Sequence, residues 1–406
     1  MAKFKPTNIK GAIDTLPGVQ VLRNHVLDVL RRNFESYGYA PIETASVNYL
    51  EMLSYKYDEN AEIVREIYKI KDQGERDLGL RFDLTVPFCK FIATNRNLKM
   101  PFRRYEIGKV WRNGPVKAGR LREFYQCDID VVGIKEVAVE AEMIALAVKI
   151  FRELGIEPII KYGNRKLLTE LIGTARGKRE EGNGHLDKII AVIDRWEKIP
   201  REELETELAK FLDKKNVSKL IASFENATHP EVEELQRALE ELGVAECCRF
   251  TPHLARGLNY YTGTIWEVFD KAGRITSSLG GGGRYDKIIT DWIDNGLEYP
   301  SVGMAFGLEP IMAVLQGEAG NGKREAFVDM LLVPIGGVGK QAQELASTLR
   351  DKGKKVLVWH GGKVGKAMEY ADKENIASVI VFGEKEASSG KIMVKDMKTG
   401  LEKELR

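Results

Sequence analysis

Two strand-like segments joined by a basic, glycine-containing loop dominate the N-terminal half of this sequence. Apolar and polar residues alternate through 103–112 and 119–130, as a half-buried antiparallel pair requires. The first segment ends on Arg112, and the even spacing of Gln126 and Asp130 points both side chains to one face. A guanidinium fixed beside acceptors suits a nucleotide phosphate next to a small cationic substrate. A charged hairpin on the protein surface would show the same alternation.

Length and composition indicate a globular protein of several domains. A chain of 406 residues is too long for one ordinary core, so we expect two or three domains. The formal net charge of +2 is close to neutral. Any nucleic-acid contact must therefore come from local basic patches and not from bulk charge.

The sequence favours a cytoplasmic protein. No apolar run is long enough to span a bilayer, and residues 1–6 lack the apolar stretch of a signal peptide. The four cysteines, Cys89, Cys127, Cys247 and Cys248, lack metal-site spacing and are expected to be free thiols. The five scattered histidines argue against a zinc site, so no protein-held metal is predicted.

The periodicity changes along the chain. Amphipathic helices are predicted over 18–37 and 137–154, with strands and hairpins between them. Helix formers and charged residues fill 165–242, which we interpret as a helical insertion. Strand patterns then resume, and after a polar, glycine-rich linker at 316–323 strands alternate with helices, as in a small α/β domain.

These patterns predict an α+β fold: an antiparallel sheet of about six strands flanked by helices, interrupted by a helical insertion and followed by a C-terminal α/β domain. The predicted segments are 1–162 and 248–320 for the two halves of the sheet domain, 163–247 for the insertion, and 325–406 for the C-terminal domain.

The hairpin residues resemble motif 2 of class II aminoacyl-tRNA synthetases, specifically histidyl-tRNA synthetases. The resemblance implies that Arg112 contacts the α-phosphate of ATP. It also implies that Gln126 and Asp130 face bound histidine, with Asp130 accepting a hydrogen bond from the imidazole. The loop over 113–120 would approach the acceptor end of tRNA.

A second segment, residues 80–88, alternates like a strand and places Asp83 and Thr85 on one face. A carboxylate and a hydroxyl there could hold an ammonium group, although any edge strand can carry such a pair. In the family that the sequence resembles, the matching pair binds the α-amino group of histidine.

A third segment, residues 255–263, resembles a signature of histidyl-tRNA synthetases. Arg256 would bridge the substrate carboxylate and the α-phosphate as negative charge grows in the transition state. Tyr260 and Tyr261 would supply a flat wall and a hydroxyl near the imidazole. Asn259 stands where the family usually has Asp, which removes a charge at the edge of the site.

Two further departures concern ATP. The glycine run at 280–283 would let a substrate lie against the main chain, and the segment 301–310 resembles motif 3. Pro310 stands where the family usually has an adenine-stacking Arg, and Gly114 where it usually has a Glu that reads adenine. These departures imply weak ATP binding, replacement by nearby groups, or lost activity.

The ends of the chain suggest partners. The helix over 18–37 and a strand near Pro41 resemble motif 1, which implies a homodimer, although an ordinary amphipathic helix on a sheet would look similar. Residues 362–373 resemble an anticodon-binding domain. The lysines there could meet phosphates, or they could lie on a solvated helix.

Across about residues 10–401 the resemblance implies a histidine–tRNA ligase. Such an enzyme activates L-histidine with ATP, which Mg²⁺ accompanies, and transfers histidine to tRNA(His). The alternative is a histidine-sensing, non-catalytic regulatory subunit of ATP phosphoribosyltransferase. Gly114 and Pro310 favour the alternative, whereas Arg256 and the C-terminal α/β domain favour the ligase.

Overall fold

The structure, a computed structural model, describes residues 5–55, 62–116, 120–176, 184–256, 260–319 and 326–405. The chain forms two compact units. The larger is built from residues 1–14 and 26–317, and the smaller from residues 15–25 and 318–406.

The helices and strands of the described residues are numbered here in chain order. The α-helices are α1 (Pro17–Ser36), α2 (Leu50–Ser54), α3 (Glu62–Arg65), α4 (Thr85–Thr94), α5 (Ala138–Glu153), α6 (Arg165–Arg176), α7 (Gly184–Ile193), α8 (Arg201–Leu208), α9 (Lys214–Ser223), α10 (Pro230–Glu241), α11 (Lys287–Ile293), α12 (Leu308–Ala319), α13 (Gly339–Asp351), α14 (Val364–Lys373) and α15 (Glu384–Ser389). The strands are β1 (Ala40–Pro41), β2 (Val47–Tyr49), β3 (Lys69–Lys71), β4 (Asp77–Leu80), β5 (Phe102–Trp111), β6 (Glu123–Val132), β7 (Pro158–Asn164), β8 (Cys248–Phe250), β9 (Thr264–Asp270), β10 (Gly280–Arg284), β11 (Ser301–Gly307), β12 (Met330–Pro334), β13 (Val356–Val358), β14 (Ser378–Phe382), β15 (Met393–Asp396) and β16 (Glu402–Glu404).

An eight-stranded sheet with the order β1-β5-β6-β11-β10-β9-β7-β8 organises the larger unit. Its central strands from β5 to β7 pair antiparallel, which confirms the predicted α+β fold with an antiparallel sheet. The short edge strands β1 and β8 pair parallel to β5 and β7. These edge pairings were missed because two or three residues are too few to show a period.

The predicted hairpin forms the second and third strands of this sheet. Strands β5 and β6 pair from Phe102 opposite Val132 to Trp111 opposite Glu123. On one face of the sheet, Phe306 of β11 packs against Phe34 and Phe151, with ring centroids 5.4 and 5.7 Å apart. Helices α1 and α5 therefore cover that face, and the residues that alternate with these apolar ones face the opposite side.

The helical insertion begins and ends at neighbouring strands. Strand β7 ends at Asn164, and β8 begins at Cys248 and lies parallel to β7. The intervening helices α6 to α10 bury apolar side chains of their own, including Leu168, Leu208 and Leu220. These helices belong to the same compact unit as the sheet. The division into four segments therefore remains a prediction, and its loop signal at 181–183 lies outside the described residues.

The smaller unit contains a five-stranded sheet with the order β13-β12-β14-β15-β16. The first three strands pair parallel, as the strand–helix alternation predicts, and β15 and β16 add an antiparallel hairpin. Strand β16 is exposed throughout, so no apolar alternation marks it in the sequence. Part of the glycine-rich linker, 320–323, lies outside the described residues.

Two further predictions concern membrane spans and cysteines. Within the described ranges, no helix is both long enough and apolar enough to cross a membrane. Cys89, Cys127, Cys247 and Cys248 are all free thiols, as their spacing predicts.

Candidate active site

The inner face of β6 forms the floor of a pocket. Because side chains alternate along the strand, Gln126, Asp128 and Asp130 share the face opposite the α1 and α5 helices. The pocket brings together all of the residues predicted for the site, namely Asp83, Thr85, Arg112, Gln126, Asp130, Arg256, Tyr260 and Tyr261. It also contains Asp128 and Tyr285, to which the sequence analysis gave no role, and Gly281, Gly303, Met304 and Ala305 from the glycine run and the motif-3-like segment.

For one of the residues without an assigned role, Asp128, the sequence did contain a usable signal. Asp128 lies midway between Gln126 and Asp130, so the same period of two that selected its neighbours includes it. Tyr285 follows the glycine run and contacts Asp130 only through the fold, so spacing alone could not indicate it.

Asp83 and Thr85 were predicted to lie on a strand, and this prediction is wrong. Strand β4 ends at Leu80, and Thr85 is the first residue of α4. Asp83 lies in the intervening turn, where its Oδ1 accepts a hydrogen bond from the N–H of Val86 at 3.1 Å. A short carboxylate that satisfies a free N–H at a helix start is favoured over extending the strand. Both residues still face the pocket.

Asp83 is buried, and its charge is incompletely compensated. Burial raises the pKa of this carboxyl from 3.8 to about 6, against the opposing effects of the Val86 N–H, Arg112 and Arg104. Its Oδ2 and the Oε1 of Gln126 accept no hydrogen bond from any described residue. Buried acceptors without donors are uncommon in proteins, and here they are suited to a ligand that carries N–H groups.

Asp130 lies between two residues that fix its carboxylate. Tyr285 donates its hydroxyl to Oδ1, and a guanidinium nitrogen of Arg104 lies 2.6 Å from Oδ2. This Arg104 contact is close but not aligned as a hydrogen bond, so the pair is mainly electrostatic. A Cβ at Gly303 would lie 1.9 Å from Oδ1, so glycine on the adjacent strand makes room for the carboxylate.

Arg112 lies one residue beyond the end of β5 at Trp111, whereas the sequence analysis made it the last residue of the strand. Its Nε donates to the main-chain oxygen of Phe82 at 3.0 Å, and its guanidinium lies 5.1 Å from the centroid of the Phe124 ring. Burial lowers the pKa of Arg112, and the carboxylates of Asp83 and Glu66 act in the opposite direction. A cation held with little solvation is suited to bind phosphate.

Arg256 packs against the glycine run. Its Nη1 lies 3.2 Å from the main-chain oxygen of Gly282, and a Cβ at Gly281 would lie 2.8 Å from that nitrogen. The glycines therefore make room for an arginine, in addition to any substrate. The guanidinium lies over Tyr261, 5.3 Å from the ring centroid, and Tyr260 packs beside Tyr261. Asn259 lies outside the described residues.

Pro310 is the third residue of α12, a position in the first turn where proline leaves no helical hydrogen bond unmade. The preceding Glu309 accepts a hydrogen bond from the N–H of Tyr125 at 3.2 Å. Proline at this position is therefore compatible with the strand-to-helix connection, and it supplies no cation there.

The donors of the pocket do not form a protein metal site. Across residues 5–55, 62–116, 120–176, 184–256, 260–319 and 326–405, no three His, Cys, Asp or Glu side chains are grouped to hold a metal ion. Mg²⁺ that arrives with a nucleotide would depend chiefly on phosphate oxygens and water, which is its usual environment in such sites.

Comparisons with known proteins agree over nearly the whole chain. A family model described as histidyl-tRNA synthetase matches residues 11–311, and one described as anticodon binding domain matches residues 329–406. Histidine–tRNA ligase 1 of Bacillus thuringiensis subsp. konkukian is 42% identical over 413 aligned positions, covering 97% of this chain and 96% of that protein. Histidine–tRNA ligase of Clostridium acetobutylicum is 32% identical, with 99% and 98% covered.

Solved structures give the same fold. Histidyl-tRNA synthetase from Nostoc sp. PCC 7120 superposes with a TM-score of 0.83 at 28% identity, covering 99% of this chain and 97% of that one. A Bacillus halodurans protein described as an ATP phosphoribosyltransferase regulatory subunit/histidyl-tRNA synthetase has a TM-score of 0.78 at 20% identity, covering 94% and 100%. At that identity the likeness concerns the fold alone.

Proposed function

Because this chain belongs to the histidyl-tRNA synthetase family, we infer that it is a histidine–tRNA ligase whose pocket forms histidyl-adenylate from L-histidine and ATP. The observation that carries this assignment is the convergence of buried, incompletely paired acceptors and two arginines in one pocket. Histidine supplies N–H donors for the acceptors, and its carboxylate and the nucleotide phosphate supply negative charge for the arginines.

The acceptors form two groups, which bind opposite ends of the histidine. Asp83 and Thr85 hold the α-ammonium group, since they lie together where α4 begins. Gln126 and Asp130 face the imidazole, and Tyr260 and Tyr261 form the wall beside it. The Asp130 carboxylate has more than two lone-pair positions, so it can accept from an imidazole N–H while contacting Arg104 and Tyr285.

The arginines act on the reacting groups. A carboxylate oxygen of histidine attacks the α-phosphorus of ATP, a P–O bond breaks, and pyrophosphate leaves. Arg112 and Arg256 stabilise the negative charge that accumulates where the carboxylate and the α-phosphate meet. In the second step a terminal ribose hydroxyl of tRNA attacks the carbonyl of the adenylate, and AMP leaves with its electron pair.

The remaining partners follow from the same assignment. The substrate nucleotide enters as its Mg²⁺ complex, and tRNA(His) meets the loop that follows Arg112 and the C-terminal α/β domain. Residues 117–119 of that loop lie outside the described residues. We further propose a cytoplasmic homodimer built on α1 and β1, for which the mass measured by light scattering in an active preparation is the test.

The regulatory-subunit alternative is less supported. The 42%-identical relative is named as a ligase and spans the full chain, and the match to an anticodon-binding domain supports a protein that handles tRNA. Only the departures at Gly114 and Pro310 favour a protein without catalysis.

The two functions predict different results in one assay. A ligase exchanges labelled pyrophosphate into ATP when histidine is added and then charges tRNA(His). A regulatory subunit binds histidine but does neither.

A further inference from the structure

Glu66 occupies the space in which a side chain at position 114 would begin. A Cβ built on Gly114 would lie 2.1 Å from Oε1 of Glu66 and 2.7 Å from its Cδ. The Glu66 residue is only 6% exposed. A side chain at position 114 would therefore clash with the Glu66 carboxylate. The carboxylate can occupy its present position because residue 114 is glycine.

Glu66 is held at both its main chain and its carboxylate. The main-chain oxygen of Glu66 accepts from the N–H of Asn113 at 2.7 Å, which joins the residue after α3 to the start of the loop after Arg112. Arg120, at the other end of that loop, lies 2.5 Å from Oε1 of Glu66. Glu66 is therefore a preorganised acceptor with an adjoining donor.

Glu66 and Arg120 lie beside Arg112, the residue proposed to bind the α-phosphate. Gly114 is two residues beyond Arg112, and the carboxylates of Asp83 and Glu66 both act on the Arg112 guanidinium. Asp83 belongs to the amino-acid end of the pocket. Glu66 acts on Arg112 from the side of the loop, where its neighbours are Asn113, Gly114 and Arg120.

An acceptor beside a donor complements adenine in particular. Adenine presents a 6-amino donor next to a ring-nitrogen acceptor, whereas a 6-oxopurine presents an oxygen at the same position. A carboxylate attracts the amino group and repels the oxygen.

We propose that Glu66, together with Arg120, recognises the 6-amino edge of ATP in this enzyme and so supplies from a different segment the carboxylate that position 114 lacks. The proposal rests on the function inferred above. It makes Glu66 a specificity-determining residue for the nucleotide.

The test compares ATP with inosine triphosphate in histidine-dependent pyrophosphate exchange. Wild-type protein should prefer ATP by about 10²-fold or more in kcat/KM, because a buried carboxylate that accepts from the 6-amino group of adenine repels the 6-oxo group of inosine. Glu66→Gln retains the size of the side chain but adds an amide donor that suits the 6-oxo group. It should lower the ATP preference at least about 10-fold, and so should Glu66→Ala.

Two further variants sharpen the comparison. Gly114→Ala introduces the Cβ that displaces the carboxylate, and it should mimic Glu66→Ala. Glu51→Ala removes an exposed carboxylate from α2 and should leave the ATP preference unchanged.

The proposal is overturned if Glu66→Gln lowers exchange with both nucleotides by the same factor, since Glu66 would then only hold the loop. It is also overturned if Glu66→Ala retains the wild-type preference. Equilibrium binding of ATP and inosine triphosphate to the same variants tests the preference independently. If wild-type protein lacks exchange, the ligase assignment fails, and the binding measurement still decides the role of Glu66.

Discussion

The carboxylate of Asp130 and the guanidinium of Arg104 form an ion pair with 2.6 Å between Oδ2 and Nη2. The two residues are 2% and 0% exposed. Burial raises the pKa of Asp130, and Arg104 and the Tyr285 hydroxyl oppose this effect. The imidazole acceptor proposed here is therefore also the partner that keeps a buried arginine from being an uncompensated charge.

Replacing Asp130 should affect both catalysis and stability. We expect Asp130→Ala to reduce histidine activation by about 10²-fold or more, and to lower the free energy of unfolding by about 3–5 kcal/mol because Arg104 loses its partner. Glu142→Ala is the matched control, since Glu142 pairs with the partly exposed Arg103 and should change neither quantity much. Normal histidine activation by Asp130→Ala would refute the role of Asp130.

Asp83 should make stability depend on pH. Its carboxyl has a pKa of about 6 in the fold instead of 3.8, so folded protein keeps a proton that unfolded protein loses. The contribution of this group to stability falls as the pH rises from about 4 to about 6, and ionised Asp83 then costs about 3 kcal/mol. Asp83→Asn should raise the free energy of unfolding at pH 7.5 by up to that amount, and by less at pH 5, while weakening histidine binding. Urea unfolding at the two pH values checks this, and an equal gain at both would contradict it.

Arg256 should act on the chemical step. Its side chain is fixed by the main chain of Gly282 and by Tyr261, so it is a preorganised donor. Removing one such donor typically costs about 10²–10³ in rate. We therefore expect Arg256→Ala to lose pyrophosphate exchange to about that extent, with a modest change in ATP affinity measured by equilibrium binding. A variant that loses ATP binding but exchanges normally at saturation would assign Arg256 to ground-state binding instead.

Pro310 should affect ATP binding more than chemistry. Pro310 lies in the first turn of α12, where an arginine can replace it without breaking the helix. Pro310→Arg should lower the apparent KM for ATP in pyrophosphate exchange and change kcat little, because it adds a cation without altering Arg112 or Arg256. An unchanged KM would mean that another cation already fills this role.

The parts of the fold that sequence could predict are those with long, regular patterns. The hairpin of β5 and β6 has ten residues in each strand, enough for the alternation to determine both strand and face. A strand near Pro41 was predicted, but β1 and β8 are too short for their sequences to determine that they pair parallel to their neighbours. The exposed strand β16 has no apolar residues to alternate.

The site was predictable as a set of residues but not as a geometry. Asp83 was assigned to a strand because 80–85 alternates, whereas its hydrogen bond to Val86 belongs to the start of a helix. The contacts of Arg104 and Tyr285 with Asp130 join residues that are far apart in the chain, by 155 positions for Tyr285. Glu66 was missed because its partner is an absent side chain at Gly114, which no local pattern records.

Histidine-dependent exchange of labelled pyrophosphate into ATP tests the central claim most directly, because it reports adenylate formation without requiring tRNA. The account predicts exchange with L-histidine and near-background exchange with other amino acids. It also predicts that Arg256→Ala loses the histidine-dependent exchange. No exchange by wild-type protein at any ATP concentration, in a preparation that still binds histidine, would contradict the ligase assignment and favour a histidine-sensing regulatory protein.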